Sequence, residues 1–446
     1  MKDFTTGRIS KPLIIFAAPM MIGNLFQQMY NIVDAMIVGR YVGAGALAAV
    51  GISVSVSIFL ISALIGLSSG AAVVVAQFFG AKQNDRVESA VSVSIIFNMC
   101  LSALLLTFGI VFAPHLLRML NTDPEVMDDA VIYMRIMMAG MPFNVLYNMY
   151  TSFLRALGDS KRPLYILIFT VTLSGVLTLY LVIVQGMGVA GAAGSTVFSQ
   201  LVAAVLCYLY ARRSVPLLKV NKFTFDFGMF RLILKYGVPA AVQFSIVSLA
   251  HLFISRLINS FGAATMAAIT AVARIDQFAI MPVHTLSMAM STFVAQNMGA
   301  EREDRAMKGF RVTLLYMLGF SVFISAVLMA LAPQLISLFL NPDDLSAPEI
   351  LYIGQRYLNI MVIFYFVFAF LFAFNGFFRG VGDAVIAMVF PIFSLTLRTS
   401  SAYILVLVVG MGADALAWSI PIGWTLASLG SWIYFKKRLW VGKVAT

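Results

Sequence analysis

The 446-residue chain contains 19 acidic residues, and all but Asp34 and Asp276 fall in short polar connections or at the ends of long apolar stretches. A carboxylate in the middle of a membrane helix costs about 2.5–3.5 kcal/mol on insertion scales, so it is seldom there without a task. Asp34 has Asn31 at i−3, Tyr30 at i−4 and Gln27 at i−7, which places four polar side chains on one helical face. Desolvation and neighbouring donors act on such a carboxyl in opposite senses, so a protonation switch is the chemistry this stripe suggests. The competing structural reading is an acid merely held by hydrogen bonds. Asp276 is set differently: Arg274 lies two residues away and off its face, while Arg398 falls near the middle of a later apolar stretch. A charge-paired strut is the expectation there, with substrate or ion contact as the alternative. His251 is read as a hydrogen-bonded packing residue, with lining of a cavity as its alternative role.

Other chemistry is poorly supported. Cys100 and Cys207 both sit in apolar stretches, where a thiol behaves as a small hydrophobe, and His115, His251 and His284 fit no ligand spacing, so no metal or cofactor is expected. There is no GxxxxGK[ST] phosphate loop, which leaves an ion gradient as the energy source for any active process. Gly186, Gly188 and Gly191 fit GxGxxG, but no acid follows at the ribose-binding distance and the preceding segment is apolar. Gly66, Ser68 and Gly70 fit the GxSxG nucleophile pattern, which keeps an intramembrane enzyme using Ser68 and His251 in view. Small residues at close spacing are better explained by tight helix packing, and a non-enzyme is expected.

The elements that must position these residues are membrane helices. Hydrophobic residues make up 61% of the chain and charged residues 11%, with mean hydropathy +0.94; soluble domains carry roughly 25% charged residues. About twelve spans are predicted, near 13–38, 47–78, 88–112, 128–151, 164–185, 190–211, 232–258, 264–296, 309–332, 350–374, 384–409 and 412–435. Residues 1–11 lack an export-signal pattern, so the first span is read as retained. Lys and Arg concentrate in alternate loops, at Lys82 and Arg86, Lys161 and Arg162, 212–235, Arg302 to Arg311, Arg379, and Lys436 to Lys443, whereas the acidic 121–129 and 341–349 loops lie between them. By the positive-inside rule both termini are cytoplasmic. The net charge of +11 is accounted for by this asymmetry, with lipid headgroups as its partner rather than nucleic acid.

The sequence also repeats itself. An offset of about 219–220 residues lays Pro19 on Pro239, the 43–49 run on 262–268, and Gln77, Gly80 and Ala81 on Gln296, Gly299 and Ala300. An offset of 224 lays 153–159 on 377–383 and Gly186 on Gly410. The fold expected is therefore all-α and polytopic, in two homologous six-helix bundles arranged as parallel repeats: an N-lobe over 1–212, a cytoplasmic linker over 213–231 and a C-lobe over 232–446. Secondary transporters use such duplication to alternate access to a midplane site.

Taken together, Pro19, Gln27, Tyr30, Asn31, Val33, Asp34, Val38 and Gly39, the Gln77/Gln296 motifs and the 155–159 Arg-Ala-Leu-Gly-Asp run resemble the MATE (multidrug and toxic compound extrusion) family over nearly the whole chain. The resemblance implies two lobes that rock about a central cavity and exchange an organic solute for H⁺ or Na⁺. It makes Asp34 the cation-coupling residue, with Gln27, Tyr30 and Asn31 beside it and Asn148 matching a fourth-helix asparagine of the cavity. Where the family commonly has an Asn-x-x-x-Asp pair in the fifth helix, this chain has Ser174 and Thr178; Thr196 keeps the sixth-helix threonine. The sodium-coupled branch has acids in its seventh and tenth helices, and neither span has one here, which favours H⁺. His251, Arg274, Asp276 and Arg398 complete the C-lobe candidates. The expectation is a monomeric, multi-pass antiporter of the bacterial inner membrane exporting small cationic or amphipathic organic compounds. A lipid-linked precursor flippase on related architecture, favoured by Arg274 and Arg398, is the alternative.

Overall fold

The computed structural model describes residues 2–120, 122–220, 224–340 and 345–441, apart from the side chains of 248, 249 and 251–253. Helices follow one another through the first half as α1 (Ser10–Tyr41), α2 (Ala44–Gly80), α3 (Asn84–Met119), α4 (Pro124–Ala139), α5 (Met141–Ala156), α6 (Lys161–Leu179) and α7 (Gly188–Ser214). The second half continues with α8 (Phe227–Asn259), α9 (Ala263–Gly299), α10 (Glu303–Ser337), α11 (Ala347–Ile363), α12 (Tyr365–Val381), α13 (Ala384–Leu407) and α14 (Asp414–Lys436). In a medium that offers no hydrogen bonds, a chain this apolar can satisfy its backbone only inside such helices.

Among the described residues nine helices are long and apolar enough to cross a membrane, and two bent pairs raise the number to eleven. The fourth predicted span is α4 plus α5, bent by 46°, and the tenth is α11 plus α12, bent by 50°. Pro142 near the start of α5 cannot donate a backbone hydrogen bond, which helps to end α4 at Gly140. The predicted fifth span is α6 and a π-helical turn, Tyr180–Val184. The twelfth, α14, has 23 residues but falls short in hydropathy, since Trp, Ser and Gly recur along it.

The chain divides into two compact units, one comprising 2–6 and Ile15–Ala241, the other Gly7–Ile14 and 242–441. Within the first unit, Ile37, Val38, Val50, Tyr133, Val182 and Val189 gather in an apolar core. Within the second, a larger core unites Val272 and Ile275 of α9, Ile336 of α10, Leu358 and Val362 of α11, and Leu416 and Ile420 of α14.

Backbone geometry repeats at the offsets seen in the sequence. Left-handed φ values occur at Gly43 (123°) and Gly262 (89°), at Lys82 (59°) and Glu301 (57°), and at Gly158 (81°) and Gly382 (102°). After each of the last two glycines comes an aspartate held by a tyrosine, from α7 and from α14 respectively: Tyr210 donates to Asp159 at 2.9 Å and Tyr434 to Asp383 at 2.5 Å. Asp159 also accepts from the backbone N–H groups of Lys161 and Arg162, capping α6.

Candidate functional site

Three helices of the first unit bring the predicted site together. Tyr30 and Asp34 stand one turn apart on α1, Ser174 and Thr178 one turn apart on α6, and Thr196 enters from α7. The Tyr30 hydroxyl lies 2.7 Å from Ser174 Oγ, 3.1 Å from Thr196 Oγ1 and 3.5 Å from Asp34 Oδ1. Thr178 donates to the same carboxylate oxygen at 3.3 Å. Ser195, not singled out in the sequence, lies 2.6 Å from Thr178 Oγ1 and is itself fixed by donation to the Ala192 carbonyl at 2.8 Å. Two hydroxyls, of Tyr30 and Thr178, thus meet one carboxylate oxygen, and three more, of Ser174, Thr196 and Ser195, stand behind them.

The local sequence explains why these groups can meet. Ser174, Thr178 and Ser195 are buried, at 3%, 0% and 0% exposure, and a buried hydroxyl demands a partner. Asp34 is half-buried, and one turn further along α1 Ile37 and Val38 join the apolar core that includes Val182. The π-helical turn begins two residues after Thr178, a distortion of the sort that recurs at functional sites in helices.

Not every predicted residue joins the network. Gln27 and Asn31 lie on the same face of α1 but bond to each other at 3.4 Å, and Asn31 also donates to Gln28 at 3.2 Å. Asn148 donates to the carbonyl and side chain of Asn144, both at 2.9 Å, one turn back along α5, so it is bound up within its own helix.

In the second unit the expected strut is replaced by a different arrangement. Tyr365 donates to Asp276 at 2.7 Å, and no ion pair forms between Asp276 and Arg398 within 4.0 Å. Arg398 keeps a buried Nε without a hydrogen-bond partner. Arg274 is exposed, on a different face of α9 from the half-buried Asp276. The reason is the 100° step of the helix, which sends residues two apart to nearly opposite sides. His251 lies on α8 with its side chain outside the described residues.

The remaining motifs resolve into packing. Added Cβ atoms at Gly66 and Gly70 would stand 2.3 Å from Ala241 Cα and 2.4 Å from Gly237 Cα, so the GxSxG run lets α2 and the first half of α8 approach backbone to backbone. Ser68 between them is buried, at 2% exposure. Gly186 and Gly188, with φ of 64° and 53°, form the turn into α7. Cys207 is buried as expected, whereas Cys100 is exposed on α3.

Comparison with known proteins agrees with the duplication. The MatE family model matches twice, over residues 19–181 and 239–404, once in each half. The chain is similar to the probable multidrug resistance protein YoeA of Bacillus subtilis (strain 168), with 31% identity over 412 residues, 88% of this chain and 87% of that protein. It is also similar to the probable multidrug resistance protein YpnP of the same organism, with 28% identity over 443 residues, 98% of this chain and 97% of that one. A solved structure of MATE in complex with MaL6 shares the fold, with a TM-score of 0.91, 24% identity and 98% of both chains covered. On the strength of the paired family match and relatives that cover most of its length, the chain belongs to the MATE family of multi-pass membrane transporters.

Proposed function

We propose that this protein is an antiporter that exports small organic compounds in exchange for protons, with Asp34 as the coupling group. The observation that carries the reading is the hydroxyl network on a single carboxylate, with Tyr30 and Thr178 on Asp34 and Ser174, Thr196 and Ser195 behind them. A hydroxyl can donate or accept, so it serves both protonation states of a carboxyl by turning over its hydrogen bond. Tyr30 has one hydroxyl proton and three oxygens within 3.5 Å, and when Asp34 gains a proton that hydroxyl is free to donate to Ser174 or Thr196 instead. Ionised, Asp34 attracts a cationic or polar solute; protonated, it ceases to do so. Protonation then alters solute affinity, which is the condition for exchange.

The probable multidrug resistance names of YoeA and YpnP support organic export rather than flipping of a lipid-linked precursor. For the choice of ion, one carboxylate among hydroxyls suits a proton better than a multidentate Na⁺ cage. The test is transport of fluorescent cations by purified protein in liposomes, with pH and Na⁺ gradients imposed separately. Proton-driven exchange that persists without Na⁺ supports the assignment, and uptake driven by Na⁺ with the pH gradient collapsed removes it. Both termini are placed in the cytoplasm and the transport unit is taken as one chain of two lobes, divided by the cytoplasmic linker.

A further inference from the structure

A cavity of about 800 Å³ opens at the start of α10, within the second unit, where three stretches of chain far apart in sequence meet. Gly7 and Arg8 come from the segment ahead of α1, Arg302 from the turn into α10, Arg305 and Lys308 from its first two turns, and Arg438 from the chain just after α14. Each stretch is fixed in place. Arg305 donates to the Gly7 carbonyl at 2.8 Å and lies over the Phe293 ring at 5.7 Å, so the segment carrying Arg8 is tied to α10. Arg438 pairs with Glu303 and lies 5.8 Å over the ring of Trp440, which is 1% exposed. Glu301 and Arg438 hold left-handed φ values of 57° and 55°, a conformation that costs a residue with a Cβ and recurs at functional sites.

Positive charge is in excess there. Five basic and three acidic residues line the cavity, and one of the acids, Glu303, is taken by Arg438. Arg8 and Lys308 are exposed and, among the described residues, have no carboxylate within 4.0 Å. The fold does not impose this arrangement. The repeat offsets of 219 and 224 put Gln83, Ser89 and Ser214 where Arg302, Lys308 and Arg438 stand, and Lys82 where Glu301 stands, so these charges belong to the second half alone. Among the described residues lining the cavity none is aromatic and Ile9 is the one large apolar side chain, which offers a nucleobase or an acyl chain little to pack on. Guanidinium and ammonium groups converging from three directions suit the several charged oxygens of phosphate, which take charge-assisted hydrogen bonds.

We propose that this cavity binds phosphate groups, of a free polyphosphate or of a phospholipid headgroup, with Arg8 and Lys308 supplying charge that no carboxylate has taken. An occupant would join the segment ahead of α1 to the start of α10. The proposal does not rest on the transport reading, and its test uses neither gradient nor solute. Binding is measured by calorimetric titration of the purified full chain in a maltoside detergent at fixed ionic strength. One titration uses inorganic pyrophosphate; the other uses dioleoylphosphatidylglycerol in mixed micelles, with dioleoylglycerol as the blank that lacks phosphate. Saturable binding is expected in at least one of them, pyrophosphate alone marking a soluble ligand and the phospholipid alone a headgroup. The double variant Arg8→Gln, Lys308→Gln should weaken it about tenfold, the worth of two exposed charge contacts. Lys82→Gln with Arg86→Gln, at the corresponding turn of the first half, should leave it unchanged. Should the first double variant fail to fold, Arg8→Gln alone, ahead of α1, decides with a loss of about threefold. Binding of neither probe, binding that Arg8→Gln and Lys308→Gln do not weaken, or an equal loss in the Lys82→Gln, Arg86→Gln control overturns the proposal.

Discussion

Asp34→Asn keeps the size of the side chain and leaves an oxygen for Tyr30 and Thr178 to donate to, so the fold has little reason to notice it. Its thermal stability should stay within about 1 kcal/mol of the parent, checked by thermal unfolding of purified protein. Tyr30→Phe is a harsher change, because Ser174 is buried and loses the hydroxyl 2.7 Å away. A cost of about 1–3 kcal/mol is expected, the penalty of a buried polar group left without its partner. At position 276 the geometry separates two substitutions. Asp276→Asn keeps an acceptor for Tyr365 and should be mild, whereas Asp276→Leu strands that hydroxyl and should lower the melting temperature by several degrees. Equal effects would mean that the charge near Arg398 matters more than the hydrogen bond. At this scale the hydroxyl cluster was legible in part: a carboxylate in an apolar stretch is conspicuous, Tyr30 and Thr178 meet it, and Ser174 and Thr196 meet the Tyr30 hydroxyl. Ser195 was missed because sequence alone does not say how α7 is rotated, and its two adjacent hydroxyls serve different neighbours, Thr178 and Tyr30. Asn148, matched to the cavity by resemblance, is half-buried and bonds to Asn144 one turn back on α5, an intrahelical pairing that sequence alone does not announce.

Among the elements, α2 and the first half of α8 make a contact that tolerates no side chain. Backbone stands where a Cβ would go at both Gly66 and Gly70, so Gly66→Val and Gly70→Val should each destabilise or abolish the packed form, while Gly175→Ala, with nothing within 4 Å, should be neutral. Thermal unfolding monitored by size-exclusion recovery would separate the three. Tolerance of valine at both crossing positions would contradict the close approach. The apolar stretches themselves were readable from composition, but the breaks inside two of them were not. Hydropathy records whether a residue suits lipid and says nothing of direction, so the run across Phe364 reads as continuous although the helix bends there by 50°. Proline marks the corresponding break near Pro142 and has no counterpart at Phe364.

At the scale of the whole molecule, duplication was legible in recurring short motifs because each pins a backbone feature: the turns at Gly43 and Gly262, and the capped aspartates at Asp159 and Asp383. The assignment of sides rests on charge alone and yields its own check. In a background with exposed Cys100 replaced by serine, a membrane-impermeant thiol reagent applied to intact cells should label Asp123→Cys and leave Glu301→Cys untouched. The reverse pattern would invert the molecule in the membrane. The central claim concerns energy, that one carboxylate converts a proton gradient into solute movement. It is tested most directly by solute exchange in liposomes containing either the parent or Asp34→Asn, driven by a pH gradient in sodium-free buffer. The account predicts accumulation by the parent, and for the variant only downhill equilibration without pH dependence. Accumulation by Asp34→Asn with the pH response of the parent would contradict it.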